Sequence, residues 1–448
     1  MVGGKDSSQL FDGLLFPGIF QTFRMSIQPT KLIITACALG VICLAGWIMD
    51  FSRTVPVIRD SKGKIAETQL QIYLANPTPD VLRSEIQRLK ESGDRSGVFL
   101  TLWNFSGAKF KGAVNAVFDL KVREVWNNIY ECFKAAGWSL WYHPVYCIIF
   151  FLITLAVLSI SGGAICRIAA LQFARGEKPG LTEALRFSVK RFTSFFTTPL
   201  APIGIIAFIG LFIFLLGLMG NIPRVGEIIV GIGMPLALIS GALIAVILIG
   251  AAAGLNLMFP AVAYDGSDCF DAISRSFSYV YARPWRMGFY TAIAAVYGSI
   301  CYTFVRSFAF LSLWITHWFL QVILWAGNSS GDVNKLTAIW PKPEISTLLG
   351  SSKPLATNWT EAVAVFLVHL CVLVVVGLVV SFIISFYFSA NTIIYSLMRS
   401  KVDNTAREDI YMNFDEADVE VAGIERKPQQ EQPSPPGEPE PGSSAADS

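Results

Sequence analysis

The side chains able to carry out chemistry are few, and their spacing matches no catalytic or metal-binding motif. The three histidines, His143, His317 and His369, are far apart, and no pair has the His-x-x-x-His spacing of a helical zinc site. The eight cysteines include no Cys-x-x-Cys pair, and phosphate-binding loops, nucleophile elbows and dinucleotide fingerprints do not occur. The sequence therefore predicts no catalytic residue, no metal site and no cofactor.

His369 lies inside a long apolar stretch, where an ionisable group is a functional candidate by default. It could hydrogen-bond to a neighbouring helix or act as a proton relay. Because no apolar stretch contains an acidic residue that could exchange a proton with it, the hydrogen bond to a neighbouring helix is the favoured interpretation.

The composition of the chain indicates an integral membrane protein. Of its 448 residues, 53% are hydrophobic and 15% are charged, and the mean hydropathy is +0.52. A soluble protein carries about 25% charged residues, so this chain has too little charge for a soluble surface of its size. Stretches without charge, each close to or above the length needed to cross a bilayer as a helix, are Leu32–Met49, Ser139–Cys166, Phe192–Pro223, Ile228–Tyr264, Met287–Val305, Ser307–Gly331 and Ala362–Met398.

These stretches predict an all-α integral membrane fold, a bundle of six spans with a small α+β outer segment. Ser307–Trp325 is predicted to lie in the outer interface; if it crosses instead, there are seven spans. The predicted divisions are a cytoplasmic amphipathic segment at 1–31, a first transmembrane helix at 32–50, an extracytoplasmic domain at 51–138, a transmembrane bundle at 139–398 and a cytoplasmic, acidic, Pro-rich, disordered tail at 399–448.

Basic residues in short loops set the predicted orientation. Residues 167–191 carry six basic and two acidic residues, which places this loop, and with it both termini, in the cytoplasm. A second loop, 265–286, returns to the same side. The residues predicted to lie at the membrane interface are Arg186, Lys190, Arg191, Arg275, Arg283 and Arg286 at the inner side, and Trp314 and Trp318 at the outer side.

The two basic loops resemble each other. Leu181–Ser188 aligns with Cys269–Ser276 at an offset of 88 residues, and each segment follows an apolar stretch and a polar turn. Both have apolar residues at helical spacing, which predicts amphipathic helices lying at the inner interface. Since both copies run in the same direction, the sequence predicts a parallel duplication of a span, an interface helix and a span.

The outer segment has the pattern of a small folded domain. Val55–Ile58 and Ile65–Leu70 flank a turn, which predicts a hairpin, and helices are expected over 78–92 and over Lys109–Ala136. A cap packed on the membrane surface is the favoured interpretation, and a ligand-sensing domain is the alternative.

Residues 140–412 resemble a broad group of prokaryotic multi-pass proteins. The resemblance rests on the segments Leu257–Gly266, Cys269–Val280, Arg283–Arg286 and Thr392–Thr405. The group includes uncharacterised inner-membrane families and the membrane domain that accompanies glycerophosphodiester phosphodiesterase domains. The resemblance implies a multi-pass fold and an inner-membrane location, but not the phosphodiesterase activity, which needs a separate catalytic domain.

For function, the sequence favours a non-enzymatic protein that organises membrane lipids, with protein partners at the cytoplasmic face and no nucleic-acid partner. A permease is the second hypothesis, because Glu183-Ala184-Leu185 is similar to the Glu-Ala-Ala coupling helix of ABC importers, although Val189 stands where that pattern has Gly. An intramembrane enzyme is the third, and would need an acid, base or metal site that the sequence does not show.

Overall fold

A computed structural model describes residues 16–59, 65–75, 78–91, 93–324, 327, 334–345, 348–350 and 357–411. Contacts divide the chain into two compact units, Met1–Ile410 and Tyr411–Ser448. Only the first residue of the second unit is described, so the fold below is that of the first unit.

Helices account for most of the described chain. In chain order they are α1 Gln21–Ser26, α2 Pro29–Met49, α3 Gln69–Leu74, α4 Pro79–Glu91, α5 Val98–Phe118, α6 Val122–Tyr142, α7 Pro144–Arg175, α8 Leu181–Lys190, α9 Phe192–Thr197, α10 Ala201–Met219, α11 Gly226–Asp265, α12 Cys269–Ala282, α13 Pro284–Ile323, α14 Lys335–Ile339 and α15 Trp359–Val402. Short 3-10 turns precede α1 and follow α2, and the strands are β1 Val55–Arg59, β2 Ile65–Thr68 and β3 Arg95–Ser96.

Six helices of the described chain are long and apolar enough to cross a membrane: α2, α7, α10, α11, α13 and α15. The longest have 40 to 44 residues, or about 60 Å at 1.5 Å per residue, which is twice the thickness of a bilayer core. Most side chains of α10 and of the first half of α11 point away from the protein, and their apolar character fits contact with lipid.

One predicted boundary is wrong. The separate interfacial helix expected at Ser307–Trp325 is the continuation of α13, which runs unbroken through Arg306. The charge does not end the helix because its guanidinium is satisfied within the protein: Arg306 donates to the Tyr302 hydroxyl at 3.3 Å and to the Ile345 carbonyl at 2.6 Å. The six candidate spans therefore agree with the predicted number, while Trp325 lies outside the described residues.

The best-packed part of the bundle is the end where α7, α11 and α15 finish. Nearly every residue of 161–171, 257–264 and 388–399 is buried there. The helices touch closely through small residues: a Cβ placed on Gly162 would lie 2.5 Å from the ring of Phe388. This end is packed like the interior of a soluble protein, whereas the opposite half of the bundle exposes apolar side chains.

Each of α7 and α11 is followed by a short helix that folds back along it. Gly176 and Gly266 end the long helices in the left-handed region, with φ of +75° and +61°, a conformation that favours glycine. α12 runs back along α11, since Ser276 is beside Gly254 and Tyr281 reaches the Val246 carbonyl.

The protein buries one face of α8 and leaves the predicted apolar face uncovered. Ala184, Phe187 and Ser188 pack against α7, while Leu181 and Val189, predicted to share the apolar face, are exposed. Small residues on α7, above all Gly163, let α8 approach closely, so that packing on the bundle decides which face is covered. The predicted helix exists, but the protein covers one of its faces.

The outer segment contains a small antiparallel sheet in the order β2-β1-β3, with Val57 opposite Thr68 and Val55 opposite Ser96. The predicted hairpin and the helix over 78–92 are confirmed, the latter as α4. The single helix expected over Lys109–Ala136 is wrong: α5 and α6 form a helical hairpin, because the chain reverses at Leu120, whose φ is +55°. The core of this segment consists of Val55, Val57, Leu70, Val98, Ala135 and Trp138.

The two ends of the bundle unit also differ from the predicted divisions. Residues 16–26 are helical and pack on the bundle through Ile19, Thr22 and Met25, and α2 begins before the predicted first span, at Pro29. The predicted tail begins too early, since α15 continues to Val402 and residues 403–410 pack on the bundle. Residues 1–15 and 412–448, on which the other parts of these predictions fall, lie outside the described residues.

Candidate functional site

A group of charged and aromatic side chains lies where α11, α12 and α15 meet. We call it the ion-pair cluster and define it by its six members: Tyr264, Asp265, Arg275, Tyr279, Tyr395 and Arg399. Four of its members form two pairs, each on one face of a helix. Arg275 and Tyr279 are four residues apart on α12, as are Tyr395 and Arg399 on α15, so that each pair shares one helix face.

Asp265 is the centre of the ion-pair cluster. Its carboxylate pairs with Arg399 Nε at 3.1 Å and with Arg275 Nη1 at 3.3 Å, and it accepts a hydrogen bond from the Tyr395 hydroxyl. A carboxylate at the last residue of a helix is unfavourable for the helix dipole, and the two guanidinium groups offset that effect. Arg275 is also held on its own helix by Asp271, both of whose oxygens lie 3.0 Å from its Nε.

The same cluster holds the segment that follows α15, residues 403–410, which we call the docked C-terminal segment. Arg399 donates to the Asp409 carbonyl at 2.7 Å, and the Tyr279 hydroxyl donates to the Asp403 carboxylate. The Tyr264 hydroxyl donates to the Arg407 carbonyl, and Ile410 is buried. The chain leaving the last span is thereby fixed to the short helix α12.

The protonation states of the α12 members argue for a structural role. Burial lowers the pKa of Arg275, but the hydrogen bond to Asp271 and the charge of Asp265 raise it by more, so its pKa stays above the usual value. Burial, the hydrogen bond to Asp403 and the charge of that carboxylate together raise the pKa of the Tyr279 phenol. Both groups carry their protons at neutral pH, as arginine and tyrosine ordinarily do, and so remain hydrogen-bond donors in these contacts.

A second buried charge lies deeper in the bundle. Lys31, on the first turn of α2, has no exposed surface, and its Nζ donates to Ser389 Oγ at 3.4 Å. Ser385 beside it donates to the Ser26 carbonyl at 2.9 Å, and the fully buried thiol of Cys166 is within electrostatic reach. Among the residues that the structure describes, Lys31 has no carboxylate partner, which is unusual for a buried ammonium.

The structure separates the basic residues predicted to lie at the inner interface. Arg186, Lys190 and Arg283 are exposed; Arg191 and Arg286 are half-buried. Arg275, a member of the ion-pair cluster, is bound to Asp265 and Asp271. The six residues therefore do not form one surface, and five of them stay candidates for contact with a membrane.

The predicted outer-side residues Trp314 and Trp318 lie one turn apart on α13, both at the surface. His317 between them points inward, and its Nε2 is 3.2 Å from the Trp340 carbonyl. This pairing attaches residues 334–345 to the far half of α13. His369, on α15, is exposed at the surface of the bundle.

Within the described part of the chain, no three His, Cys, Asp or Glu side chains come together in a way that could hold a metal ion. All eight cysteines are unpaired thiols. At the ion-pair cluster, the carboxylates of Asp265 and Asp271 are both occupied by Arg275. The arrangement is one of paired charges that join helices.

Sequence reasoning missed the ion-pair cluster because two of its charged members stand at the ends of apolar stretches, and the third, Arg275, is predicted to lie at the membrane interface. Asp265 follows Ile228–Tyr264 directly, and Arg399 follows Ala362–Met398 directly. In the sequence, each residue therefore indicates only where a predicted membrane span ends. A usable signal was present: an acid ends one stretch, an arginine ends another, and each has a tyrosine within one turn before it.

No protein-family model, curated protein or solved structure matches this chain.

Proposed function

We propose that this chain is a multi-pass protein of a cell membrane, with both termini in the cytoplasm, that organises lipids and protein partners and has no active site of its own. The observation that carries the proposal is how charge is used at the packed end. There, Asp265, Arg275 and Arg399 bind one another and hold helices together, while the six long helices expose apolar surface.

The orientation rests on the basic residues of the packed end. Exposed Arg186, Lys190 and Arg283 lie on or next to the short helices, and positive charge in short segments favours the cytoplasmic side. The resemblance to prokaryotic inner-membrane proteins is in keeping with this orientation and with a location in the inner membrane.

Labelling of intact cells with a membrane-impermeant maleimide tests the orientation. Asp418→Cys should stay unlabelled until the cells are opened, whereas Asp119→Cys, at the exposed turn between α5 and α6, should be labelled from outside. The unaltered chain, with its eight native cysteines, gives the background. Labelling at position 418 in intact cells contradicts a cytoplasmic C-terminus.

We also propose that the α7–α8 and α11–α12 units arose by duplication. Three correspondences support this: a left-handed glycine ends each long helix, a short helix folds back in each unit, and matching residues are fully buried. Ala184 corresponds to Ala272 and Ser188 to Ser276 at the offset of 88 residues, and all four have no exposed surface.

The surface around α8 and α12 is suited to anionic lipid. Apolar side chains that the protein leaves uncovered, such as Val189, Phe270 and Trp285, lie close in sequence to the exposed basic residues Lys190 and Arg283. Apolar side chains enter the acyl-chain boundary while basic groups meet phosphates, each basic group contributing about 1 kcal/mol of attraction.

Retention of phosphatidylglycerol on the purified chain, followed by native mass spectrometry, tests this lipid interaction. The variant Arg186→Gln/Lys190→Gln/Arg191→Gln loses three basic charges, which together contribute about 3 kcal/mol of attraction to anionic lipid. Its binding should therefore weaken by up to about 100-fold. The matched control, Arg83→Gln with Lys90→Gln on exposed α4, should bind as the unaltered chain does. Equal retention in both variants contradicts a lipid role for α8.

A permease is the second candidate, and Lys31 is the observation that favours it. A fully buried lysine amine that donates to the Ser389 hydroxyl is the kind of polar element that a transport path contains. Lys31→Met separates the two functions. In a permease it abolishes a flux measured in proteoliposomes, whereas in an organising protein it removes a buried charge and raises the stability of the bundle.

A further inference from the structure

One face of α6 carries a continuous row of apolar and aromatic side chains that the described residues leave uncovered. The exposed fractions are 80% for Val122, 67% for Trp126, 72% for Phe133 and 81% for Trp141. Ile129, Tyr130 and Leu140 fall in the same row and are exposed too. At 100° per residue all seven lie within a sector of about 120°, so they form one stripe along the helix.

The opposite face of α6 is the one that the protein buries. Ala135, Trp138 and Ser139 point into the core of the outer segment, and Lys109 of α5 pairs with Glu131. The helix is therefore fixed in rotation, and the apolar stripe is held outward by packing on the other side.

Two observations identify what covers the stripe. First, it continues directly into the exposed apolar surface of α7, where Val145, Ile148 and Leu152 follow Trp141 on a helix proposed to cross the membrane. Second, one border of the stripe is basic: Arg123 is exposed, and Lys134 lies with its Nζ 5.1 Å from the centre of the Tyr130 ring. Tryptophan, tyrosine and flanking lysine or arginine are the residues enriched where acyl chains meet lipid headgroups.

We propose that α6 lies in the lipid headgroup region on the side of the membrane opposite the ion-pair cluster, with the stripe from Val122 to Trp141 immersed in phospholipid. This goes beyond the proposed function in assigning a lipid-binding surface to the outer segment, and it rests on that proposal only for the membrane insertion of α7. The outer segment is then a membrane-anchored cap whose orientation α6 fixes.

Site-specific photo-crosslinking in the full chain, reconstituted in phosphatidylethanolamine–phosphatidylglycerol vesicles, tests the proposal. p-Benzoylphenylalanine replaces Phe133 of the stripe, Phe208 of α10 as a lipid-facing reference, or Glu124 on the polar side of α6 as a solvent-facing reference. Mass spectrometry counts lipid adducts, and gel electrophoresis detects crosslinked dimers.

Lipid adducts at position 133 as abundant as at 208, and several times more abundant than at 124, are the expected result. A yield at 133 no higher than at 124, with normal adducts at 208, overturns the inference and leaves the proposed function intact. Crosslinked dimers at 133 in place of lipid adducts show that a second copy covers the stripe, and also overturn it. Failure at both 208 and 133 refutes membrane insertion and the inference together.

Discussion

The ion-pair cluster predicts that removing the shared carboxylate of Asp265 lowers stability far more than removing the more exposed of its two arginine partners, Arg275. Asp265→Asn removes the charge that faces Arg399, whose side chain is 10% exposed, and Arg275, whose side chain is 38% exposed. A buried charge left without its partner costs about 3–5 kcal/mol of unfolding free energy. Since Arg399 keeps its contacts with Asp409, we expect the lower end of that range.

Arg275→Gln is the matched comparison. It removes an arginine from the same carboxylate, but the pair is partly open to solvent, and such pairs contribute about 1 kcal/mol or less. Asp265 keeps Arg399 and the Tyr395 hydroxyl in this variant. We therefore expect Arg275→Gln to cost a third or less of the free energy that Asp265→Asn costs.

Reversible unfolding in mixed micelles, with SDS as denaturant and circular dichroism as the signal, measures both variants. The double variant Asp265→Asn/Arg399→Met leaves no buried charge alone, so its cost should fall below the sum of the two single costs by about 2 kcal/mol. Equal costs for Asp265→Asn and Arg275→Gln, or strict additivity in the double variant, would refute the view that the buried pair is what joins α11 to α15.

Two other predictions concern close packing and the docked C-terminal segment. Gly163→Ala should strongly lower thermal stability in detergent, because the new Cβ would lie 2.3 Å from Ser188 Oγ; Gly254→Ala, whose nearest contact would be 3.4 Å, should be tolerated. Ending the chain after Val402 removes the partners of three cluster residues and should lower thermal stability, whereas ending it after Tyr411 should not. Size-exclusion chromatography after heating measures the stability of both truncated chains. Equal effects of the two truncations would contradict the docking of residues 403–410.

The number of long apolar helices follows from the sequence because a bilayer core fixes the length of an apolar stretch. The extent of individual helices does not follow as simply. Arg306 interrupts an apolar stretch and predicted a break, yet α13 passes through it, since Tyr302 and Ile345 satisfy the charge. Tyr302 lies one turn before Arg306 on the same helix, but Ile345 is 39 residues away in sequence and is brought to Arg306 by the fold.

The two short helices show a second limit of sequence periodicity. Spacing identifies an amphipathic helix at 181–190 but not which of its faces the protein covers. Leu181 and Val189 belong to the apolar face predicted to meet the membrane, and the protein leaves both exposed. Ala184 and Ser188 are buried because Gly163 lets α8 approach α7, a fact that depends on small size rather than on apolar character.

The ion-pair cluster also depends on contacts that the sequence pattern does not reveal. These contacts connect the cluster to the proposed function. Two of its charges, Asp265 and Arg399, end apolar stretches, where charge is ordinarily exposed to water. In this chain, α11 and α15 end side by side, so Asp265 and Arg399 are buried against each other. A protein that only needed to cross the membrane would not require this contact, because each helix could end in solvent. Joining the ends fixes α12 and the docked C-terminal segment in one arrangement, which is what a surface that receives partners must have.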